Sequence, residues 1–307
     1  MMSDESFLPT EPGTTLQALL QLRHLTLDAR ELSLRGLTGL PGKVQSRRRG
    51  NGLDFDDLRR YQPGDDVRHI DWNVTARTQQ PHIRLYREDR ERAITVVVDL
   101  RSSMFTGSDC YLADRAMRFA ALSLWQASRN GDRCAAVVFD ETGIHSSRPR
   151  IADRGALEAL GMLSARYAEA VQNAGHAASL PLSTLLAHLN QCSRLAGSLL
   201  LFSGLHDPGD DIDVQLAISG GKRALSVVEI TDPLEHDGLP PGLYPYQHRG
   251  NTALAALTAS DARTLRDTLR ATLAVKRAPW QTHLIPLLDP DPQAAGFLRA
   301  LQQRGLL

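Results

Sequence analysis

Cysteine is nearly absent from this chain. Cys110, Cys134 and Cys192 are the only three in 307 residues, an odd number without metal-ligand spacing. That excludes a disulfide framework and fits a reducing compartment. Net charge is absent too. Thirty-five basic residues balance 35 acidic ones, at a pI near 7.2, so there is no general electrostatic reason to expect a nucleic-acid or anionic-membrane partner. No apolar run approaches the roughly 18–20 residues that span a bilayer, and Met1–Gly13 lacks the basic and apolar regions of a secretory signal. The expected compartment is therefore the cytoplasm, with no direct membrane insertion. A phosphate-binding Walker A loop and a G-x-S-x-G nucleophile elbow are also missing.

What is there begins with apolar residues at helical spacing from Leu16 to about Leu40, stopped by Pro41-Gly42. Residues 1–42 are read as an N-terminal helical segment. Residues 43–92 form a second, charge-networked and irregular module, dense in Arg, Asp and Glu. It has turn signals at Gly50-Asn51-Gly52 and Pro63-Gly64-Asp65, and it leads into an alternating strand, His82–Tyr86.

From residue 93 to 307 a β/α rhythm takes over. The β-branched run Ala93–Val98 ends at Asp99 and suits a strand covered on both faces. A helical stripe follows on Leu112, Ala116, Phe119, Ala120 and Leu124, then the turn Asn130-Gly131-Asp132 and a buried strand, Cys134–Phe139. Further strands are expected at Leu199–Phe202, Ala224–Ile230 and Leu284–Leu288, with helices at Leu182–Leu189 and Leu254–Leu273. Parallel strands need crossover helices, so the pattern predicts an α/β fold with a doubly wound, mainly parallel sheet. Ligands on such sheets gather at the strands' carboxyl ends, here Asp99 with Leu100–Met104, Asp140, Ser203-Gly204 and Thr231-Asp232.

The run Arg48–Arg59, with Tyr61–Trp72 and Ala76-Arg77 after it, resembles the signature of the bacterial family called domain of unknown function fifty-eight. Asp99–Met104, Gly131-Asp132-Arg133 and Asp232–Glu235 are similar to later family positions, so the resemblance covers the chain from about Arg47 onward. It implies a von Willebrand factor A-like, Rossmann-like domain over 93–307. It also implies a working association with MoxR-type AAA+ ATPases, as an adaptor in assembling or activating client proteins.

Von Willebrand A domains commonly hold Mg²⁺ through an Asp-x-Ser-x-Ser loop, a Thr and a second Asp. Here Asp99 and Ser103 match the first Asp and the second Ser, the residual metal candidates, while Arg101 stands in place of the first Ser and Gly204 in place of the Asp. A guanidinium offers only donors and a fixed positive charge, so it cannot ligate Mg²⁺. Two readings of Arg101 are open: it replaces the cation and presents spare donors to an acidic partner residue, or it merely staples the loop to Asp99.

The expected partner-binding set is Asp99, Arg101, Ser102, Ser103 and Ser203. Asp65, Asp66, Arg68, Asp71, Trp72 and Arg77 are read as a structural staple, with charges paired and Trp72 packed against the sheet domain. Arg47–Arg49 reads as a solvated loop. Ser203, His206 and Asp207 have the composition of a hydrolytic triad without its motif. The functional expectation is a non-catalytic adaptor; the alternative is a metal-dependent or hydrolytic enzyme using the same strand ends.

Overall fold

The computed structural model describes residues 13–26, 54–62, 65–87, 92–108, 110–174, 180–192, 197–222, 224–232, 234–235, 238, 240–248, 251–281, 283–285, 294–304 and 306. The chain divides into two compact units, Thr38–Arg92 and the remainder, Met1–Leu37 with Ala93–Leu307.

The larger unit is built on a mainly parallel sheet of seven strands. Its centre is β3 (Ala93–Asp99), buried along almost its whole length. Parallel neighbours are β4 (Arg133–Asp140) on one side and β7 (Ser198–Ser203) on the other. Beyond β7 lie β8 (Leu225–Glu229) and β11 (Leu284–Ile285), also parallel. Two short strands, β5 (Gly143–Ser146) and β6 (Arg150–Ile151), pair antiparallel with β4. Because the chain leaves β3 for β4 on one side and later returns to β7 on the other, the order reverses at the β3–β7 crevice. Such a reversal is where an open α/β sheet has room for a ligand.

Alternate side chains of β3 feed two cores. Val96 and Val98 pack with α3 (Leu112–Arg129), α4 (Ala152–Asn173) and α8 (Ala294–Gln303). Val97 packs with α5 (Leu182–Gln191), α6 (Ile212–Lys222) and Trp280. The turn between α3 and β4 needs the left-handed backbone of Gly131, φ 81°. The parallel sheet covered on both faces is the expected α/β architecture.

Two expectations need correcting. The N-terminal helix is short: α1 (Leu16–Gln21) passes into a 3₁₀ turn, Leu22–Leu25, and Thr26 is extended. The remainder of its expected span, residues 27–40, lies outside the described residues, as do Arg47–Arg49 and the turn at Gly50-Asn51-Gly52. What fixes α1 is tertiary, since Trp125 Nε1 donates to Leu19 O, while Gly13 N and Thr14 Oγ1 donate to the buried Asp114. The helix expected from Leu254 starts later, because Asn251–Leu257 is a strand, β10, paired antiparallel with β9 (Gly242–His248). A run such as Leu254–Leu257 does not tell strand from helix by periodicity. The boundary signal is Thr258 with Asp261, a reciprocal capping box that opens α7 (Ala259–Arg277). Of the late strand, Leu284–Ile285 is seen and the rest lies outside the described residues.

The smaller unit pairs β1 (Asp54–Arg60) with β2 (His82–Arg87), with a bulge between Phe55 and Asp57, and sets α2 (Trp72–Thr78) before β2. Asp71 caps α2, its Oδ1 accepting from Asn73 N and Val74 N.

Candidate functional site

At their carboxyl ends, neighbouring strands place Phe139, Asp99, Ser203 and Glu229 in one row. Asp99 pairs with Phe139 and Ser203 with Glu229, while Ser203 Oγ donates to Asp99 Oδ2 at 2.7 Å. The row faces the side of the sheet that carries Val97, Leu201 and Val227.

Arg101 closes over this row. Its Nε donates to Asp99 Oδ1 at 2.9 Å and its Nη2 to Asp99 Oδ2 at 2.8 Å, a bidentate pair; Arg101 N also donates to Asp99 Oδ1 at 3.1 Å. The outer donors reach two other segments of the rim: Nη1 to Leu180 O at 2.7 Å and, longer, to Asp207 O at 3.5 Å, and Nη2 to His206 O at 2.7 Å. Phe139 lies under the guanidinium, 5.2 Å from its ring centroid. Asp99, Arg101 and Ser203 are each 0% exposed. One cation thus ties the loop after β3, the segment before α5 and the loop after β7 together. Leu205 and Asp207 adopt left-handed backbone, φ 56° and 46°, on either side of the carbonyl that His206 gives to the guanidinium. For a residue such as leucine that is strained.

The donor set does not fit Mg²⁺. Both oxygens of Asp99 are taken by Arg101 and Ser203, and the space a cation would use is held by a positive charge. An aspartate at position 204 has no room either. A Cβ there would stand 2.7 Å from the His206 ring and 3.2 Å from Met104 Sδ. Ser103 keeps a buried hydroxyl without a hydrogen-bond partner. Among the described residues no group of three or more His, Cys, Asp or Glu side chains could hold a metal ion.

A family model described as "Protein of unknown function DUF58" matches residues 57–278. The chain belongs to that family. Over 90 residues it is 42% identical to the uncharacterized protein Rv1480 of Mycobacterium tuberculosis and to the uncharacterized protein Mb1516 of Mycobacterium bovis. Those 90 residues are 29% of this chain, and the match spans 28% of each relative. A solved structure, the conserved hypothetical protein BatB from Bacteroides thetaiotaomicron, aligns with a TM-score of 0.34 and 10% identity, over 62% of this chain and 98% of that one.

In this DUF58 chain charged groups stand at both ends of the row. Beside β4, Asp140 accepts from Thr142 N and Oγ1 and from Arg166 Nε and Nη2. Burial pushes its pKa up, but these hydrogen bonds and the Arg166 charge outweigh that and hold it below the usual value. Beside β8, Glu229 Oε2 accepts from Arg277 Nε at 2.6 Å, and Oε1 is buried without a hydrogen-bond partner. His206 Nε2 lies 3.5 Å from Lys276 Nζ, which lies 3.8 Å from Glu235 Oε2. Burial, then the charge of Lys276, with a further push from Arg101 against the pull of Asp99, lowers the His206 pKa to about 4. Burial likewise lowers Lys276. Sequence reading missed Glu229, Lys276 and Arg277. The one available signal was the position of Glu229 at a strand's end.

The expected partner-binding set divides. Ser102 and Ser103 are half-buried, and Ser102 N donates to Glu141 Oε1 at 2.5 Å. Asp99, Arg101 and Ser203 cannot touch a partner, which corrects the expectation that Arg101 offers spare donors outward; every nitrogen of its guanidinium already donates to the protein itself. Ser203 does not form a triad with His206 and Asp207. Its hydroxyl donates to Asp99 and accepts from Leu205 N.

In the smaller unit the staple residues act separately. Asp65 holds Arg59 and Gln62 N, Asp66 holds the exposed Arg68, and Arg77 is exposed. Trp72 is 70% exposed. Asp71, Thr75 and Thr78 recur at helical spacing and meet His82 of β2, through Thr75 Oγ1 accepting from His82 N and Asp71 N donating to His82 O. Trp72 falls off that stripe.

Proposed function

We propose that this protein is a non-catalytic adaptor with a von Willebrand factor A-like domain, acting in the cytoplasm with a MoxR-type AAA+ ATPase to assemble, activate or remodel client proteins. The observation that carries the reading is the closed Arg101 network. A crest whose carboxylate, serine and guanidinium are spent on one another has no open coordination position. Its Ser203 hydroxyl is spent on structural bonds, donating to Asp99 and accepting from Leu205 N. What it does have is three loops held in fixed relation by one buried cation, and a pre-organised surface binds with less ordering cost than a mobile one. Three cysteines outside any disulfide, two of them buried, support a reducing compartment. The partner's identity rests on the family resemblance.

The test is co-purification of the full chain with the MoxR-type ATPase of the same genome, with and without nucleotide. A complex that co-elutes on size exclusion supports the adaptor reading. Consistent failure to form one, with both proteins folded, removes that partner.

A further inference from the structure

The loops leaving β3, β4, β7 and β8 carry Glu141, Asp207, Asp210, Asp211, Asp232 and Glu235. Arg101 is the single Lys or Arg among their described residues, and it is fully buried against Asp99. Asp207, Asp210 and Asp211 are exposed. Hydrogen bonds from Ser183 and Gln215 hold Asp211 below the usual carboxylate range, so it stays ionised. Lys276 and Arg277 of α7 answer Glu235 and Glu229, so in a chain that is neutral as a whole the excess negative charge of the rim lies on the exposed Asp207–Asp211 loop. The second observation is independent of the rim. Glu229 is 8% exposed and stands beside Ser203 where the Asp207 loop leaves the sheet; Arg277 holds its Oε2, while its Oε1 is buried without a hydrogen-bond partner. A buried acceptor left unmatched costs free energy until a donor meets it.

We infer that the crest recognises a basic protein surface, with an arginine or lysine of the partner directed at the Asp207–Asp211 loop and Glu229. A metal-bearing crest recruits a carboxylate to its cation; with Arg101 neutralised inside, the polarity is reversed. This inference deepens the adaptor reading and rests on it for the partner being a protein.

Fluorescence anisotropy with the full chain tests the polarity, using labelled hexa-arginine and hexa-glutamate peptides at low and moderate salt. Hexa-arginine should bind and hexa-glutamate should not. D207N/D210N should weaken hexa-arginine binding about fivefold or more, whereas the matched surface variant D153N/E158Q, in the first turns of α4 beside the start of β4, should leave it unchanged. Glu229→Gln should weaken it about threefold, read in a sample whose circular dichroism matches wild type. Equal or tighter binding of hexa-glutamate overturns the inference, as does equal loss in the two double variants. An ATPase complex that is indifferent to salt and to D207N/D210N sinks the basic-partner claim and leaves the adaptor reading intact. Localised hexa-arginine binding without any ATPase complex does the reverse.

Discussion

Two Asp-x-Arg pairs in this molecule make the same local motif and have different consequences. In Asp66-Val67-Arg68, as in Asp99-Leu100-Arg101, the arginine N–H, Nε and Nη2 all donate to the aspartate two residues back. The side chains of Arg68 and Asp66 are 84% and 39% exposed, those of Arg101 and Asp99 1% and 0%. At the surface, water competes for each bond and the pair holds little beyond its own turn. In the interior the charges need each other and every remaining donor needs a carbonyl, so the pair fixes three loops at once. The motif is legible in sequence; its burial is not, because burial is set by how strands β3, β4 and β7 stack their ends.

The contrast can be broken at its strongest point first. Arg101→Ala leaves Asp99 buried and uncompensated and should cost about 3–5 kcal/mol in denaturant unfolding. Arg101→Lys should recover only part, since a point charge cannot meet Asp99 in two places and reach Leu180 and His206 carbonyls as well. Next, Gly204→Ala drives a Cβ into the His206 ring and should cost about 1–3 kcal/mol, with the His206 resonances displaced.

A smaller effect should come with pH. His206 has a folded pKa depressed to about 4, against an ordinary value of 6.5. The unfolded chain therefore takes up a proton first as pH falls, and His206's contribution, present above pH 6.5, is lost between 6.5 and about 4. Histidine NMR titration should place its midpoint near the lower value. In His206→Gln, that part of the acid loss of stability should disappear. The smallest effect belongs to the exposed pair. Arg68→Ala should leave the melting temperature unchanged. The Asp66 carboxyl, held at about 2 chiefly by its Arg68 hydrogen bonds, should titrate nearer 3.8.

Much of the sheet was legible because continuous β-branched runs such as Ala93–Val98 carry their burial in their composition. The hairpin of β9 and β10 was not, since Gly242–His248 contains a proline and Leu254–Leu257 reads equally as the head of a helix. At the crest, an arginine two residues past Asp99 could be read directly from Asp99-Leu100-Arg101-Ser102-Ser103. That the guanidinium turns inward could not. Its acceptors, the carbonyls of Leu180 and His206, belong to segments 79 and 105 residues away. Glu229 escaped notice for the same reason: its place beside Ser203 comes from strand register, not from sequence proximity.

Calorimetric titration of the full chain with Mg²⁺ and Mn²⁺ puts the Arg101 network to its most direct test. If the guanidinium holds the cation's position, wild-type protein shows no saturable heat at metal concentrations up to the millimolar range. Saturable micromolar binding by the wild type, lost in Asp99→Asn, would contradict the account.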